Sequence, residues 1–221
     1  MSQQTLMTIY DRLFQHYGPQ HWWPGETRFE IIIGAILTQN TNWKNVEKAI
    51  VNLKTNGLLR PEPLEQLDPD QLAQFIRPAG YFNIKTKRLK NFLHWLFEKH
   101  DGAIDNLCSL PSSVLREQLL AISGIGPETA DSICLYAFEK PVFVVDAYTA
   151  RIFGRHGMIE APSGYDDIQE MFHCALPNDA ALFNEYHALL VQLGKEHCKL
   201  KPVCTGCPLE DMPHCVEPVF Y

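Results

Sequence analysis

Apolar residues recur at helical spacing along almost the whole chain. Leu6, Ile9, Leu13 and Phe14 fall on one face of a first amphipathic helix, with Tyr10 and Tyr17 beside it. Thr27 followed by Glu30 reads as a capping box, and the run it opens, "FEIIIGAILTQ", is apolar nearly all round. Such a helix has no solvent face and is expected to be central and buried. Asp68-Pro69 with Gln71 offers an N-cap, a first-turn proline and a reciprocal partner. Phe92, Leu93, Leu96 and Phe97 continue a helical stripe that stops near Gly102. Further helices are expected around 112–120, 128–138, 147–156, 166–176 and 180–196. Only "PVFVV" at 141–145 looks extended, and no second segment pairs with it. The pattern predicts an all-α fold. The ~30–45-residue period of a helical solenoid is missing. So is any linker, which implies that two lobes, if present, pack closely.

The size and composition, 221 residues with 46% hydrophobic and 20% charged, suit one large domain or two intimate lobes. No apolar run approaches the ~20 residues of a membrane span. The N-terminus, "MSQQTLMTIYDRLF", lacks the basic and apolar regions of a signal peptide. A bacterial-type cytoplasmic protein is the expectation. A formal net charge of −7 weighs mildly against a nucleic-acid partner. Net charge is a sum, however, and two basic clusters stand out against it: Lys85, Lys87, Arg88 and Lys90, then Arg151, Arg155 and His156.

The seven cysteines are an odd number, which points to metal ligation plus buried thiols rather than disulfides. Cys198, Cys204, Cys207 and Cys215 form C-x5-C-x2-C-x7-C, a spacing able to encircle zinc or an iron–sulfur cluster. Zinc sites usually come as two close pairs; only Cys204 and Cys207 are close here, which leans towards a cubane. Lys195, Lys199 and Lys201 flank this loop within reach of phosphates, and Cys108, Cys134 and Cys174 are expected to be buried thiols. The nine histidines show no metal-ligand or triad spacing.

"ISGIGPETAD" places Gly124 and Gly126 between an apolar helix and a second helix opened by Pro127. Glycines allow positive φ and a tight turn, and backbone N–H groups at a helix start can hold a phosphate. This is the helix–hairpin–helix arrangement for gripping a DNA backbone without reading its sequence. Twenty residues after Gly126 comes Asp146, in "VFVVDAYTARIFGR", where it can also cap the helix that follows. "HWWPGETRFE" sets Trp22, Trp23 and Pro24 before the buried helix, with Trp43 after its far end. Aromatic surfaces of this kind stack flipped bases, and their electron-rich faces attract cations.

These segments, with "GAILTQNTN" and "GYFNIKTKRL" in matching order, resemble the endonuclease III branch of the helix–hairpin–helix DNA glycosylase superfamily over nearly the whole chain. "WWP…FEIIIGAILTQNTNW" closely resembles the 3-methyladenine DNA glycosylase III subgroup. The resemblance implies a two-lobed glycosylase binding a lesion between its lobes. One lobe is a six-helix barrel at 20–136 ending in the hairpin motif at about 113–138; the other joins 1–19 to 137–221 and carries the cluster loop at 198–215. Bifunctional members place a nucleophilic lysine two residues after the last hairpin glycine, where this chain has Glu128. A carboxylate forms no imine, so hydrolysis is the route left, with Asp146 as the catalytic residue.

By the same resemblance Trp22, Trp23, Pro24, Trp43 and Glu128 line the base pocket. Gln39 and Tyr81 fill the gap left by the flipped nucleotide, and Gly124, Gly126 and Lys85 join them as DNA contacts. The four cysteines hold a 4Fe-4S cluster, with zinc as the alternative, and the hairpin is a place for a monovalent cation. The family's first cysteine gap is one residue longer and its last two shorter, and the 3-methyladenine subgroup's familiar form lacks the cluster, so the chain combines features of both. The expected activity is monofunctional release of an alkylated purine such as 3-methyladenine from double-stranded DNA. A monomer would act near the nucleoid and leave an abasic strand for an AP endonuclease. The alternatives are excision of oxidised, deaminated or mismatched bases, and a non-catalytic damage binder.

Overall fold

The structure, a computed structural model, describes residues 1–160 and 162–216; residues 217–221 of the expected second lobe lie outside that range. The described residues are helical and contain no strand. The helices are α1 (Gln3–Tyr17), α2 (Arg28–Thr38), α3 (Trp43–Thr55), α4 (Pro61–Gln66), α5 (Pro69–Ile76), α6 (Phe82–His100), α7 (Ser112–Leu120), α8 (Pro127–Ser132), α9 (Ala147–Arg155), α10 (Tyr165–Ala175) and α11 (Ala180–Glu196). None is long and apolar enough to cross a membrane. The chain divides into two compact units, one of Trp23–Lys140 and one joining Met1–Trp22 to Pro141–Tyr221.

In the unit from Trp23 to Lys140, α2 is the hub: it packs against α3, α6, α8 and the turn that extends α8. Its burial follows from its all-round apolar surface, with Phe29 and Ile32–Leu37 inaccessible or nearly so. Thr27 caps it by accepting from the Glu30 N–H at 3.1 Å. The reciprocal half of the expected box is shifted: the Glu30 carboxylate accepts from the Glu26 N–H and lies 3.6 Å from the Lys54 ammonium. Asp68 caps α5 as expected, accepting from the Asp70 and Gln71 N–H groups. α6 stops where Asp101 and Gly102 both turn left-handed.

The helix expected at 128–138 is α-helical only to Ser132. It widens into a π-helical turn, Ile133–Ala137, before Glu139 takes a left-handed φ of 52°. The Ser132 hydroxyl donates to the Glu128 carbonyl at 2.7 Å, a local competitor for the α-helical ladder. Such turns re-aim side chains without breaking a helix; this one carries Tyr136 onto Trp23.

In the other unit, α11 packs against α1 and α9, and the Tyr186 hydroxyl donates to the Leu6 carbonyl at 2.8 Å. Leu6, Ile9 and Leu13 of α1 are buried as their spacing predicts, whereas Phe14 is 39% exposed and stacks on Tyr10. "PVFVV" runs extended without a partner strand. Three of its backbone groups are met by side chains from one face of α10, spaced four residues apart. The Phe143 N–H donates to His173 Nε2 at 2.9 Å, its carbonyl accepts from Gln169 Nε2 at 2.6 Å, and the Val145 N–H donates to the Tyr165 oxygen at 3.4 Å. The Phe143 ring lies flat on Phe172 at 3.8 Å. This segment delivers the chain to Asp146.

Candidate active site

Asp146 is the N-cap of α9. Its Oδ1 accepts from the Thr149 N–H at 2.7 Å and from the Thr149 hydroxyl at 3.0 Å. Its Oδ2 lies 3.7 Å from Nε2 of His187, a buried residue of α11. Burial pushes the Asp146 carboxyl up, but His187 and the two Thr149 donors outweigh it, and the group sits below the ordinary carboxylate range. The capping role and a charged carboxylate therefore coexist. Lys195, also on α11, has its amine 5.5 Å from the centre of the Trp22 ring; burial lowers its pKa, opposed by the charge of Asp146. The sequence does not mark His187 as a partner of Asp146, and it points to Lys195 only as a phosphate contact beside the cysteine loop, because nothing in it ties α11 to the start of α9.

The hairpin joins α7 to α8, and the Asp131 carboxylate, fully buried on α8, locks the two together by a bidentate contact with Arg116 of α7 at 2.7 and 3.2 Å. Only one of its glycines needs its conformational freedom. Gly124 has φ +98°, and a Cβ there would fall 2.5 Å from Arg88 Cγ. Gly126 is extended, and open space surrounds the position of its missing Cβ. Gly124→Ala is accordingly expected to cost about 1–3 kcal/mol, read by thermal or urea unfolding. Gly126→Ala should cost under about 1 kcal/mol, since Ala is only a poorer N-cap. Glu128 follows Pro127 in the first turn of α8 and is exposed, where a carboxylate suits the helix dipole.

Trp23 and Trp43 meet edge to face with centroids 5.2 Å apart, and Tyr136 lies 5.2 Å from Trp23 on another side. Gly34 of α2 makes room for this cluster: a Cβ there would stand 3.2 Å from Trp23 Nε1. Tyr136 joins this aromatic cluster unannounced by the sequence, in a helix whose π turn was not anticipated.

Gln39 sits at the end of α2 and is engaged on both ends of its amide. Nε2 donates to the Gly124 carbonyl at 3.1 Å and to the Thr129 hydroxyl at 2.9 Å, while Oε1 accepts from Arg88. Tyr81 is 68% exposed with a left-handed φ of 44°, an unfavoured conformation for an aromatic residue. Lys85 corrects the expectation of a phosphate contact. It is 1% exposed, its amine donates to the Leu37 and Ala79 carbonyls at 2.8 Å each, and burial, aided by Arg88, lowers its pKa to about 8. A cation there satisfies one carbonyl at the end of α2 and one in the turn before α6, and so belongs to the interior, not to the basic surface. Thr41 donates to the same Ala79 carbonyl at 2.7 Å, so the turn bearing Gln39 and the loop bearing Tyr81 are pinned together.

The four C-terminal cysteines line one pocket, walled by Ile152, Leu193, Val203 and Leu209. Arg155 of α9 organises it: Nη1 donates to Cys198 Sγ at 3.2 Å and to the Lys199 carbonyl at 2.6 Å, Nη2 donates to the Leu200 carbonyl at 2.9 Å, and its own carbonyl accepts from the Cys215 N–H at 2.7 Å. Arg151 donates to the Cys198 carbonyl at 2.7 Å. Burial pushes the Cys207 thiol up, and the charge interactions with Cys204 and Cys198 push it the same way. Four sulfurs on one apolar pocket, with a guanidinium aimed at one of them, fit an anionic iron–sulfur group. Among the described residues, no set of three His, Cys, Asp or Glu side chains converges to hold a single metal ion. Of the other thiols, only Cys134 is buried as expected. Cys108 and Cys174 are exposed, Cys174 donating to Glu170 at 2.9 Å, because burial is a tendency of the residue type that local position overrides.

A hairpin between α7 and α8 and a capping aspartate after a short extended segment define a class. The chain belongs to the HhH-GPD superfamily of base excision DNA repair proteins, whose pattern it matches over residues 33–177, and it is a DNA glycosylase of that type. It is 47% identical over 94% of its length, and 95% of the relative's, to Methanocaldococcus jannaschii MJ1434, a protein described provisionally as a DNA repair glycosylase. It is 31% identical to endonuclease III of Sulfolobus acidocaldarius, over 85% of this chain and 82% of that one. Among solved structures, H. pylori 3-methyladenine DNA glycosylase bound to 1,N6-ethenoadenine superposes with a TM-score of 0.76 and 28% identity, covering 89% of this chain and 98% of that one.

Proposed function

We propose that this glycosylase releases alkylated purines, 3-methyladenine foremost, from double-stranded DNA by hydrolysis and leaves the strand intact. The observation that carries the reading is the residue at position 128, where the bifunctional pattern needs an amine and this chain holds Glu128, together with an Asp146 carboxyl that its N–H and hydroxyl donors keep below the ordinary range. An ionised carboxylate stabilises the positive charge that grows on the sugar as the glycosidic bond breaks, or orients the attacking water. A glutamate cannot attack the sugar as an amine does. The likeness to a 3-methyladenine glycosylase supports the lesion class.

Trp23 and Trp43, with Tyr136, offer electron-rich ring surface to an extruded base, and Trp22 and Pro24 flank Trp23 in the sequence. A purine methylated on a ring nitrogen, as in a 3-methyladenine nucleotide, carries formal positive charge, so such a surface prefers it to a neutral base. The charge also weakens the glycosidic bond, and a carboxylate alone then suffices. Gln39 and Tyr81 offset the lost stacking, which costs a few kcal/mol. The turn at Gly124 and Gly126 holds phosphate. The abasic product passes to an AP endonuclease.

The test is incubation with methylated duplex DNA and chromatography of the freed bases. Methylated purines should appear in solution, and the strand should break only after alkali treatment. The 31% identity to an endonuclease III supports a second reading, excision of an oxidised or deaminated base. Release from those lesions alone would replace the first reading with the second, and release from none would leave a damage binder.

Cys198, Cys204, Cys207 and Cys215 would hold a 4Fe-4S cluster, tying together the segment that follows α11. The expected preparation is brown, with about four irons per chain by elemental analysis, and Cys204→Ser loses both iron and colour. A colourless protein containing zinc would transfer the site to zinc.

A further inference from the structure

We infer that His187 is the positioning residue of this glycosylase, aiming and charging the Asp146 carboxylate; the inference rests on the reading of Asp146 as the catalytic group. The two carboxylate oxygens of Asp146 have unlike surroundings. Oδ1 is spent on the cap, taking both Thr149 donors. Oδ2 is the oxygen left to act, and Nε2 of His187 stands 3.7 Å from it. That is ion-pair distance and longer than a hydrogen bond, a separation compatible with a contact that tightens when substrate binds.

His187 is itself fixed. It is 6% exposed on a helix that packs against α9, beside Tyr186, whose hydroxyl is tied to the Leu6 carbonyl of α1. An imidazole so held has a definite direction, and that direction is Oδ2. The groups acting on Asp146 are Thr149 on its own helix, with His187 and Lys195 on α11. Thr149 fixes one oxygen and Lys195 acts at longer range, so His187 determines how the second oxygen points. It also opposes the burial that would otherwise protonate the carboxyl.

The experiment measures single-turnover release of methylated purine, and binding of DNA bearing an abasic-site analogue, across pH. It uses the full-length protein with wild type, His187→Leu, His187→Gln and Asp146→Asn. His187→Leu should slow release about ten- to a hundredfold, the weight of one hydrogen bond to a charged group, with DNA binding unchanged. The acid limb of its rate profile should move to higher pH, because a carboxyl deprived of its cationic or N–H partner takes up a proton more easily. His187→Gln keeps an N–H donor and should recover much of the rate, which also covers the case that the leucine variant folds poorly. A wild-type rate and an unmoved acid limb in both variants would overturn the inference, as would a loss confined to DNA binding. A wild-type rate in Asp146→Asn would instead remove the catalytic reading of Asp146, and the role of His187 with it.

Discussion

Asp146→Asn is expected to lower base release by about 10²–10³-fold, the range for removing one preorganised electrostatic group from a site. The substitution is well matched to the question because asparagine is as good an N-cap as aspartate. Its side-chain oxygen can still accept from the Thr149 N–H and hydroxyl, so α9 should form and the melting temperature should move little. What disappears is the negative charge, and with it the means of stabilising a sugar cation. Since the Asp146 carboxyl lies below its ordinary range, the wild-type rate should be flat through neutral pH and fall only in acid, below about 3.9. The same sign governs stability: the group's contribution is present above the unfolded-state value and lost as pH falls through the lower folded one. Single-turnover kinetics with parallel melting curves measure both. A variant that releases base at the wild-type rate would end the hydrolytic account.

Glu128→Lys is the opposite experiment, a gain of function. It installs an amine two residues after the last hairpin glycine, in the exposed first turn of α8. The expected outcome is a DNA adduct trapped by borohydride on an abasic duplex, together with strand cleavage, neither of which the wild type should give. Exchanging an acid for a base at a helix N-terminus costs roughly 0.5–2 kcal/mol, small enough to leave the protein folded. Trapping by the wild type itself would mean that another amine reaches the sugar. Lys195 would then be the first to replace, since its amine is partly desolvated beside Trp22 and within the field of Asp146.

Much of this site was legible because its determinants are local. The hairpin announces itself through Gly124, Gly126 and Pro127, the cap through Asp146 at the end of an extended segment, and α2 through an unbroken apolar run. What escaped depends on packing between distant parts of the sequence. α3 carries a clear stripe of Val46, Ala49, Ile50 and Leu53, but Lys44, Glu47, Lys48 and Asn52 fill the positions between and dilute it. Lys85 looked like one of four surface cations; only the approach of the Leu37 and Ala79 carbonyls makes it an interior group. His187 is forty-one residues from Asp146, and Tyr136 reaches Trp23 through a helical turn of unusual pitch. No spacing rule connects such pairs.

The extended approach to Asp146 has no sister strand to share its load. It hangs from three side chains along a single helix, as a bridge deck hangs from one row of cables. Slackening α10 by warming or mild urea would let the acid drift while the rest of the molecule stayed folded. Enzymatic output should then fade ahead of the main melting transition, and substitutions at Gln169 or His173 should bring that fading to lower temperature.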